Sequence, residues 1–468
     1  MFCFCFKKKT AVRVMLTGFL VAAMLFPQSR AYAVSWPEGV DIETPCAILI
    51  EANSGAVLYE KKADKERYPA SITKIMTALI AIENSSMDEE VTFSQDAIYK
   101  TEGSSIARDI GEVMTMEECL YGLMLESANE CAFAIGEHVA GSEQGFVEMM
   151  NEKASELGCT HTHFANTNGL PDEDHYTSCR DMSLIARAAY QNDQFRIIVG
   201  TKTYQIPPTN KHDEITYLHN HHNMLYPFSS YNYLYDDCIG GKTGYTVAAQ
   251  NTLVTYAQRE GMVLICVVMN TKTPNHYLDT RELFEWGFDN FSQWNISENE
   301  DSEDLKESFF DASSDIFDTG DALATIDEDS QLTLPKGVDF DDTQMTITSE
   351  DGDPKAIYTY EDHVVGTASV TYSLDSAKQA SSFSLPSDRY GDGEDVILIP
   401  LIWVVYGGIG VVCAAALIVL IVYLVKNYYI LRHRWNSRHG ESLDLQSLGH
   451  EKKPKKKHWW NRKKDDYI

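Results

Sequence analysis

The sequence predicts an α+β fold. An antiparallel sheet is drawn from both ends of the main domain with a helical insert between them, and a small all-β domain and one C-terminal transmembrane helix follow. Three observations carry this. A hairpin pattern near Cys46 to Glu60 and a strand meander from Cys238 to Met269 bracket a long stretch of helical periodicity. Short alternating segments recur between Ala322 and Tyr372. Leu401 to Val425 is almost wholly apolar and long enough to cross a bilayer with some tilt.

The elements follow in chain order. Lys7, Lys8, Lys9 and Arg13 precede an apolar run from Val14 to Phe26, and Ala31-Tyr-Ala33 is a small-x-small cleavage site, so residues 1–33 read as a secretory signal peptide. Residues 34–295 form the main domain. Cys46–Glu51 and Ala56–Glu60 flank Asn53-Ser-Gly55 as a hairpin. Pro69 opens a helix whose apolar face is Ile72, Ile75, Met76, Leu79 and Ile80. Val91 to Asp109 is mixed and polar, with a loop at Gly103-Ser-Ser105. Met116 to Ala140 is helical, broken at Glu126-Ser-Ala-Asn129, and further helices are expected at Gln144–Leu157 and Asp181–Tyr190. Strands at Thr252–Gln258 and Met262–Met269 have a central-strand composition, and Asn275–Phe291 closes the unit as a helix.

Beyond it lie an acidic linker (296–320), a β-rich domain (321–385), a polar stalk (386–398), the span (399–425) and a tail (426–468). The tail holds 12 Lys and Arg against 5 Asp and Glu, which places it in the cytoplasm and the body of the protein outside; the same bases suit anionic lipid heads.

The net charge of −30 hides a stronger polarity, because residues 34–425 alone carry −42, and such a surface argues against nucleic acid as a partner. Seven cysteines lie between the leader and the span, an odd number without zinc-site spacing, so at least one is unpaired; free buried thiols are expected, with one or two disulfides as the alternative. His219, His221 and His222 resemble a metal cluster, but adjacent histidines in an extended stretch face opposite ways and no further ligand is spaced nearby, so no metal or cofactor is expected. The acidic run at 298–342 lacks a calcium-loop pattern and reads as solvated.

Three short motifs carry chemistry: Ser71-x-x-Lys74, Ser127-Ala-Asn129 and Lys242-Thr-Gly244. Ser71 and Lys74 are neighbours on the first turn of a helix, which suits a nucleophile and its base. Lys74 has to be neutral to act, through burial or a nearby cation. Ser127 offers a proton path to a leaving amine, and Asn129 an amide for a substrate backbone. Lys242 and Thr243 offer a cation and a hydroxyl to a carboxylate. Gly244 lets a substrate lie along the strand edge, and the Ser71 and Tyr245 amides suit an oxyanion.

This motif set, with Tyr68-Pro-Ala-Ser-Ile-Thr-Lys-Ile-Met-Thr77, Leu125-Glu-Ser-Ala-Asn-Glu-Cys-Ala132, Thr162-His-Phe-Ala-Asn-Thr-Asn-Gly-Leu170, His175-Tyr-Thr-Ser178 with Asp181, and Gly241-Lys-Thr-Gly-Tyr-Thr246, resembles the low-molecular-mass penicillin-binding proteins, the serine-type D-alanyl-D-alanine carboxypeptidases. The likeness runs over roughly residues 40–290. It implies a β-lactamase/DD-peptidase-like sheet with a helical insert, and a β-rich second domain that lifts the catalytic domain off the membrane. It also implies release of the terminal D-alanine from peptidoglycan stem pentapeptides through an acyl-serine that β-lactams also form. Lys242 is then close to Lys74. Two departures stand out: a true span replaces the family's amphipathic anchor, and Asn220-His-His-Asn223 replaces an arginine near the carboxylate site, so that His221 takes that role in part. The alternatives are a β-lactamase, which needs a deacylating carboxylate, and a non-catalytic, membrane-tethered cell-wall-binding protein.

Overall fold

The computed structural model describes residues 34–300, 323–348 and 354–373. The expected leader, most of the linker, the stalk, the span and the tail lie outside the described residues. Among the described residues, no helix is long and apolar enough to cross a membrane.

The first sheet has five antiparallel strands in the order β2-β1-β9-β8-β7: β1 (Cys46–Glu51), β2 (Val57–Lys61), β7 (Cys238–Thr246), β8 (Gln250–Arg259) and β9 (Met262–Thr271). Both chain ends of the domain feed it, because β1 pairs with β9 from Cys46↔Met269 to Glu51↔Leu264. The central strands are continuous apolar runs because both faces are covered. Ile48 and Ile50 of β1, with Ile265 and Val267 of β9, face the helical insert. Ala47, Leu49, Leu264 and Val268 face the opposite core under α8 (Asn275–Asn290). Gly287 of α8 is where helix and sheet approach most closely, since a Cβ there would fall 2.8 Å from Leu49 and Leu264 side chains.

The insert is built round α1 (Lys74–Asn84), in which every residue from Lys74 to Ala81 is buried. A helix apolar all round belongs inside; the sequence marked one face, and the alanines and threonines between complete the rest. Around α1 pack α3 (Met116–Leu125), α4 (Asn129–Ala140), α5 (Glu143–Glu156), α6 (Cys179–Tyr190) and α7 (Asp193–Gly200). Their starts are fixed by side-chain caps: Thr115 with Glu118 forms a capping box on α3, and Ser142, Ser178 and Asn192 cap α5, α6 and α7. Within the stretch read as mixed and polar lie β3 (Glu90–Thr92) and α2 (Gln95–Tyr99), and β3 pairs with β4 (Val113–Thr115). A further hairpin joins β5 (Thr203–Ile206) to β6 (Thr216–His219). The seven described cysteines are unpaired, six of them buried and Cys159 partly so.

The second sheet starts earlier than expected. β10 (Phe291–Asn295) follows α8 directly and pairs with β12 (Gln331–Pro335), so five residues read as the end of the main domain are the first strand of the next. The order continues through β15 (His363–Ser373), β14 (Lys355–Tyr360) and β13 (Gln344–Thr348), with β11 (Leu323–Ile326) on the far part of β15. The β1–β2 turn seats against this sheet. Glu51, fully buried, accepts from the Ser54 amide and hydroxyl (2.7 and 2.8 Å) and from Gln293 Nε2 (2.7 Å), while Ser54 Oγ lies 2.8 Å from Thr333 Oγ1.

Candidate active site

Ser71 sits in a single 3₁₀ turn, Ala70–Thr73, and α1 starts only at Lys74. The entry is strained: Ala70 has φ +52°. It is held from two sides. Thr252 Oγ1 of β8 donates to the Pro69 carbonyl at 2.7 Å. The loop at Asn166–Leu170 presses from below, and Gly169 (φ +88°) lies so close that a Cβ would fall 2.0 Å from the Ala70 carbonyl oxygen. Thr77 Oγ1 donates to the Thr167 carbonyl (2.6 Å), and His175 Nε2 meets Thr73 Oγ1 at 2.9 Å while its Nδ1 accepts from the Ala165 amide. That amide contact fixes the tautomer: Nε2 carries the proton and donates to Thr73. Burial lowers the His175 pKa to about 4.

Lys74 is fully buried, and its Nζ has three neighbours: Ser71 Oγ at 3.1 Å, Asn129 Oδ1 at 2.7 Å and the Asn168 carbonyl at 2.7 Å. Two of these can only accept. A neutral amine has two N–H donors and one lone pair, so with both donors on the oxygens of Asn129 and Asn168 the lone pair is left for the Ser71 hydroxyl. Burial first, and the charge of Lys242 second, hold Lys74 well below the ordinary lysine range, with Glu130 and Cys131 pulling the other way. The expected closeness of the two lysines is thus expressed in their electrostatics.

Ser127 stands on the loop between α3 and α4 at φ +62°, and its buried Oγ has no hydrogen-bond partner among the described residues. Asn129 begins α4; its amide donates to the Ser104 carbonyl at 2.8 Å and its Nδ2 to the Glu102 carbonyl. On β7, Lys242 is 1 % exposed, its Nζ donates to the Thr243 carbonyl (2.9 Å), and burial brings its pKa down to about 7. Thr243 is half-buried, and Tyr245 is 61 % exposed. Gly244 is the closest approach of strand to turn: a Cβ there would lie 2.9 Å from the Ser71 amide nitrogen and 2.3 Å from Thr252 Oγ1. The structure thus gathers Ser71, Lys74, Asn129, Lys242 and Gly244 round one cleft.

His221 points elsewhere. Its Nε2 is 2.8 Å from Glu126 Oε2 and its ring packs on Phe228 at 4.0 Å. Burial raises the Glu126 carboxyl, but His221 and the His219 amide outweigh that and hold it below the usual carboxylate range. The histidine turned toward β7 is His222. It is buried, its Nε2 meets Thr255 Oγ1 at 3.0 Å, and a Cβ on Gly241 would fall 2.4 Å from that nitrogen. Burial pushes its pKa down to about 3, with the neighbouring His276 and Lys242 adding to the shift. The sequence flagged the Asn220-His-His-Asn223 segment, but alternate residues of an extended chain face opposite sides and the choice between them was not legible. Asn168, His175 and Glu130 are further site neighbours; all three lie inside the quoted stretches, but the sequence assigned none of them a role. Among the described residues, no group of three His, Cys, Asp or Glu side chains is arranged to hold a metal ion.

A serine with a buried lysine at hydrogen-bonding distance, a second hydroxyl, an amide and a strand lysine match the residue set of the penicillin-interacting serine enzymes. Comparison with known proteins narrows this. The sequence profile of the D-alanyl-D-alanine carboxypeptidase family (Peptidase_S11) matches residues 31–273, and the chain belongs to that family. It is similar to D-alanyl-D-alanine carboxypeptidase DacF of Bacillus subtilis, 37 % identical over 237 residues, which cover 50 % of this chain and 58 % of that protein. A D-alanyl-D-alanine carboxypeptidase of Streptomyces sp. strain K15 is 31 % identical over 60 % of this chain and 98 % of its own. DacA of Escherichia coli K12, with the same description, is 30 % identical over 71 % of this chain and 80 % of its own.

Proposed function

We propose that this protein is an extracellular, membrane-anchored serine carboxypeptidase that removes the terminal D-alanine from peptidoglycan stem pentapeptides and is acylated by β-lactams at the same residue. The observation that carries the reading is the Lys74 amine, buried and 3.1 Å from Ser71 Oγ, with both of its other contacts being acceptors.

Ser71 attacks the carbonyl of the D-Ala-D-Ala bond while Lys74 takes its proton. The Ser71 and Tyr245 amides receive the oxyanion. Ser127 relays a proton to the leaving D-alanine, and water then releases the acyl group. Asn129 holds the substrate backbone, and Lys242 with Thr243 holds the terminal carboxylate. The strand edge at Gly244 accepts the extended peptide. The buried Ser127 hydroxyl, without a hydrogen-bond partner among the described residues, and the depressed pKa of Lys74 support this assignment. Export through residues 1–33, anchorage by 399–425 and a basic cytoplasmic tail complete the reading, supported by the apolar runs and charge asymmetry of the sequence.

The test is to label the full chain with a fluorescent penicillin, map the adduct, and assay D-alanine release from a D-Ala-D-Ala peptide. A stable adduct on Ser71 and its loss in Ser71→Ala are expected. An adduct elsewhere refutes the site, and rapid release of hydrolysed penicillin turns the reading to a β-lactamase.

A further inference from the structure

Glu130 follows Asn129 and is 3 % exposed. Its Oε1 accepts from Ser105 Oγ at 2.7 Å and from the Ile106 amide at 2.6 Å. Its Oε2 is also buried and has no hydrogen-bond partner among the described residues. The loop it grips is a wall of the cleft: Glu102 and Ser104 offer their carbonyls to Asn129, and a Cβ on Gly103 would fall 3.3 Å from Asn129 Nδ2. Behind the wall, Arg108 donates to the Ile106 carbonyl and pairs with the buried Glu112 at 2.9 Å. Asn129 in turn receives Lys74 Nζ. One carboxylate thus ties the wall to the residue that orients the base.

A buried carboxyl group with one oxygen unmatched is costly unless a nearby charge offsets it. We propose that Glu130 is a positioning residue of the acyl-transfer site: its carboxylate clamps the Glu102–Ile106 wall onto Asn129 and sets the charge balance at Lys74 against Lys242. This rests on the acyl-serine reading above. The groups facing Lys74 are Lys242 from β7, Glu130 and Cys131 from α4, and His175 behind Thr73. Burial disfavours the charged forms of the Cys131 thiol and the His175 ring, and Glu130 is the carboxyl group of this set. It prevents Lys74 from becoming so weak a base that it no longer draws the serine proton.

The two roles separate by substitution. Glu130→Gln keeps an oxygen for Ser105 and Ile106 but removes the charge. Glu130→Asp keeps the charge but is too short to hold the same wall contacts. Ser105→Ala removes one wall contact and no charge. The experiment is the pH dependence of acylation by a fluorescent penicillin, using the full chain, with folding checked by thermal melting. In Glu130→Gln the acid limb, where Lys74 must lose its proton, moves at least half a unit to lower pH. In Glu130→Asp and Ser105→Ala the limb stays and the plateau rate falls, about tenfold in Asp.

An acid limb unmoved in folded Glu130→Gln overturns the proposal. Should that variant not fold, a limb in Glu130→Asp displaced as far as half a unit, or an undiminished Asp plateau, overturns it. These outcomes are distinct from failure of the site itself, which appears in the wild type as no adduct on Ser71.

Discussion

The two walls of the cleft are built on different terms. On the helix side, the functional groups other than the Ser127 hydroxyl are cross-linked: Lys74 has three contacts, Asn129 links to Lys74, Glu102 and Ser104, and the turn is pinned by Gly169 and Thr252. On the strand side, Lys242 donates only to the carbonyl of its own neighbour, Thr243 is half-buried, and Tyr245 and Val247 are exposed. In the proposed mechanism the bond-making groups are thus set before a ligand arrives and the strand-side groups keep donors for its carboxylate, so that preorganisation is concentrated where charge changes during reaction.

The comparison breaks most visibly at Lys74. Lys74→Ala is expected to lower acylation by about 10³-fold or more, because it removes the base and leaves Asn129 and Asn168 facing a cavity; stopped-flow acylation with a chromogenic β-lactam measures it. On the strand side, Lys242→Ala is expected to cost only ~10- to 100-fold, nearly all of it in the second-order rate constant for anionic ligands. Equal losses at the two lysines would erase the distinction.

The next effect is on pH. His175 and His222 are buried neutral, with pKa values lowered to about 4 and about 3. Below 6.5 the unfolded chain takes up protons that the fold refuses, so stability falls as pH drops from 6.5 through these values. Each contributes about 1.4 kcal/mol per pH unit across its window. His175→Gln should flatten the acid slope seen in urea midpoints between pH 7 and 4.5. Lys242 runs in the opposite range: with its pKa at about 7, stability rises from there toward the unfolded value near 10.5. Binding of an anionic ligand takes up a proton above pH 7, so affinity should weaken by up to tenfold per unit there, as a titration at pH 7, 8 and 9 would report.

Gly169→Ala is expected to destabilise by on the order of 2 kcal/mol, since its φ is +88° and its Cβ would strike the Ala70 carbonyl; thermal melting checks it. The smallest effect belongs to Tyr245→Ala, exposed on β7, where stability should stay within about 0.5 kcal/mol.

Much of this was legible in the sequence because it is local. The helix breaks, the meander and the three motifs are short patterns, and β1, β9 and α8 fall within a residue or two of their expected ends. What was hidden depends on partners distant in sequence. β10 has no turn before it and becomes a strand only because Gln331–Pro335 lies beside it. The β5–β6 hairpin is masked by the long connection between its strands. The facing of His221 and His222 is decided by Glu126 and Thr255, neither of which announces itself in the segment. Nothing in the sequence singles out Glu130, whose place is set by its contacts with Ser105 and Ile106 from a distant loop.

The early start of the second sheet has a topological consequence. β10 lies on one side of residues 301–322 and every other strand of that sheet on the other, yet the ladder from Phe291↔Pro335 to Asn295↔Gln331 crosses the gap. A single cut in that interval would therefore yield two fragments that remain one folded body, with the shorter fragment's β-structure docked by strand complementation on the longer, and the junction between the domains would survive loss of its covalent thread.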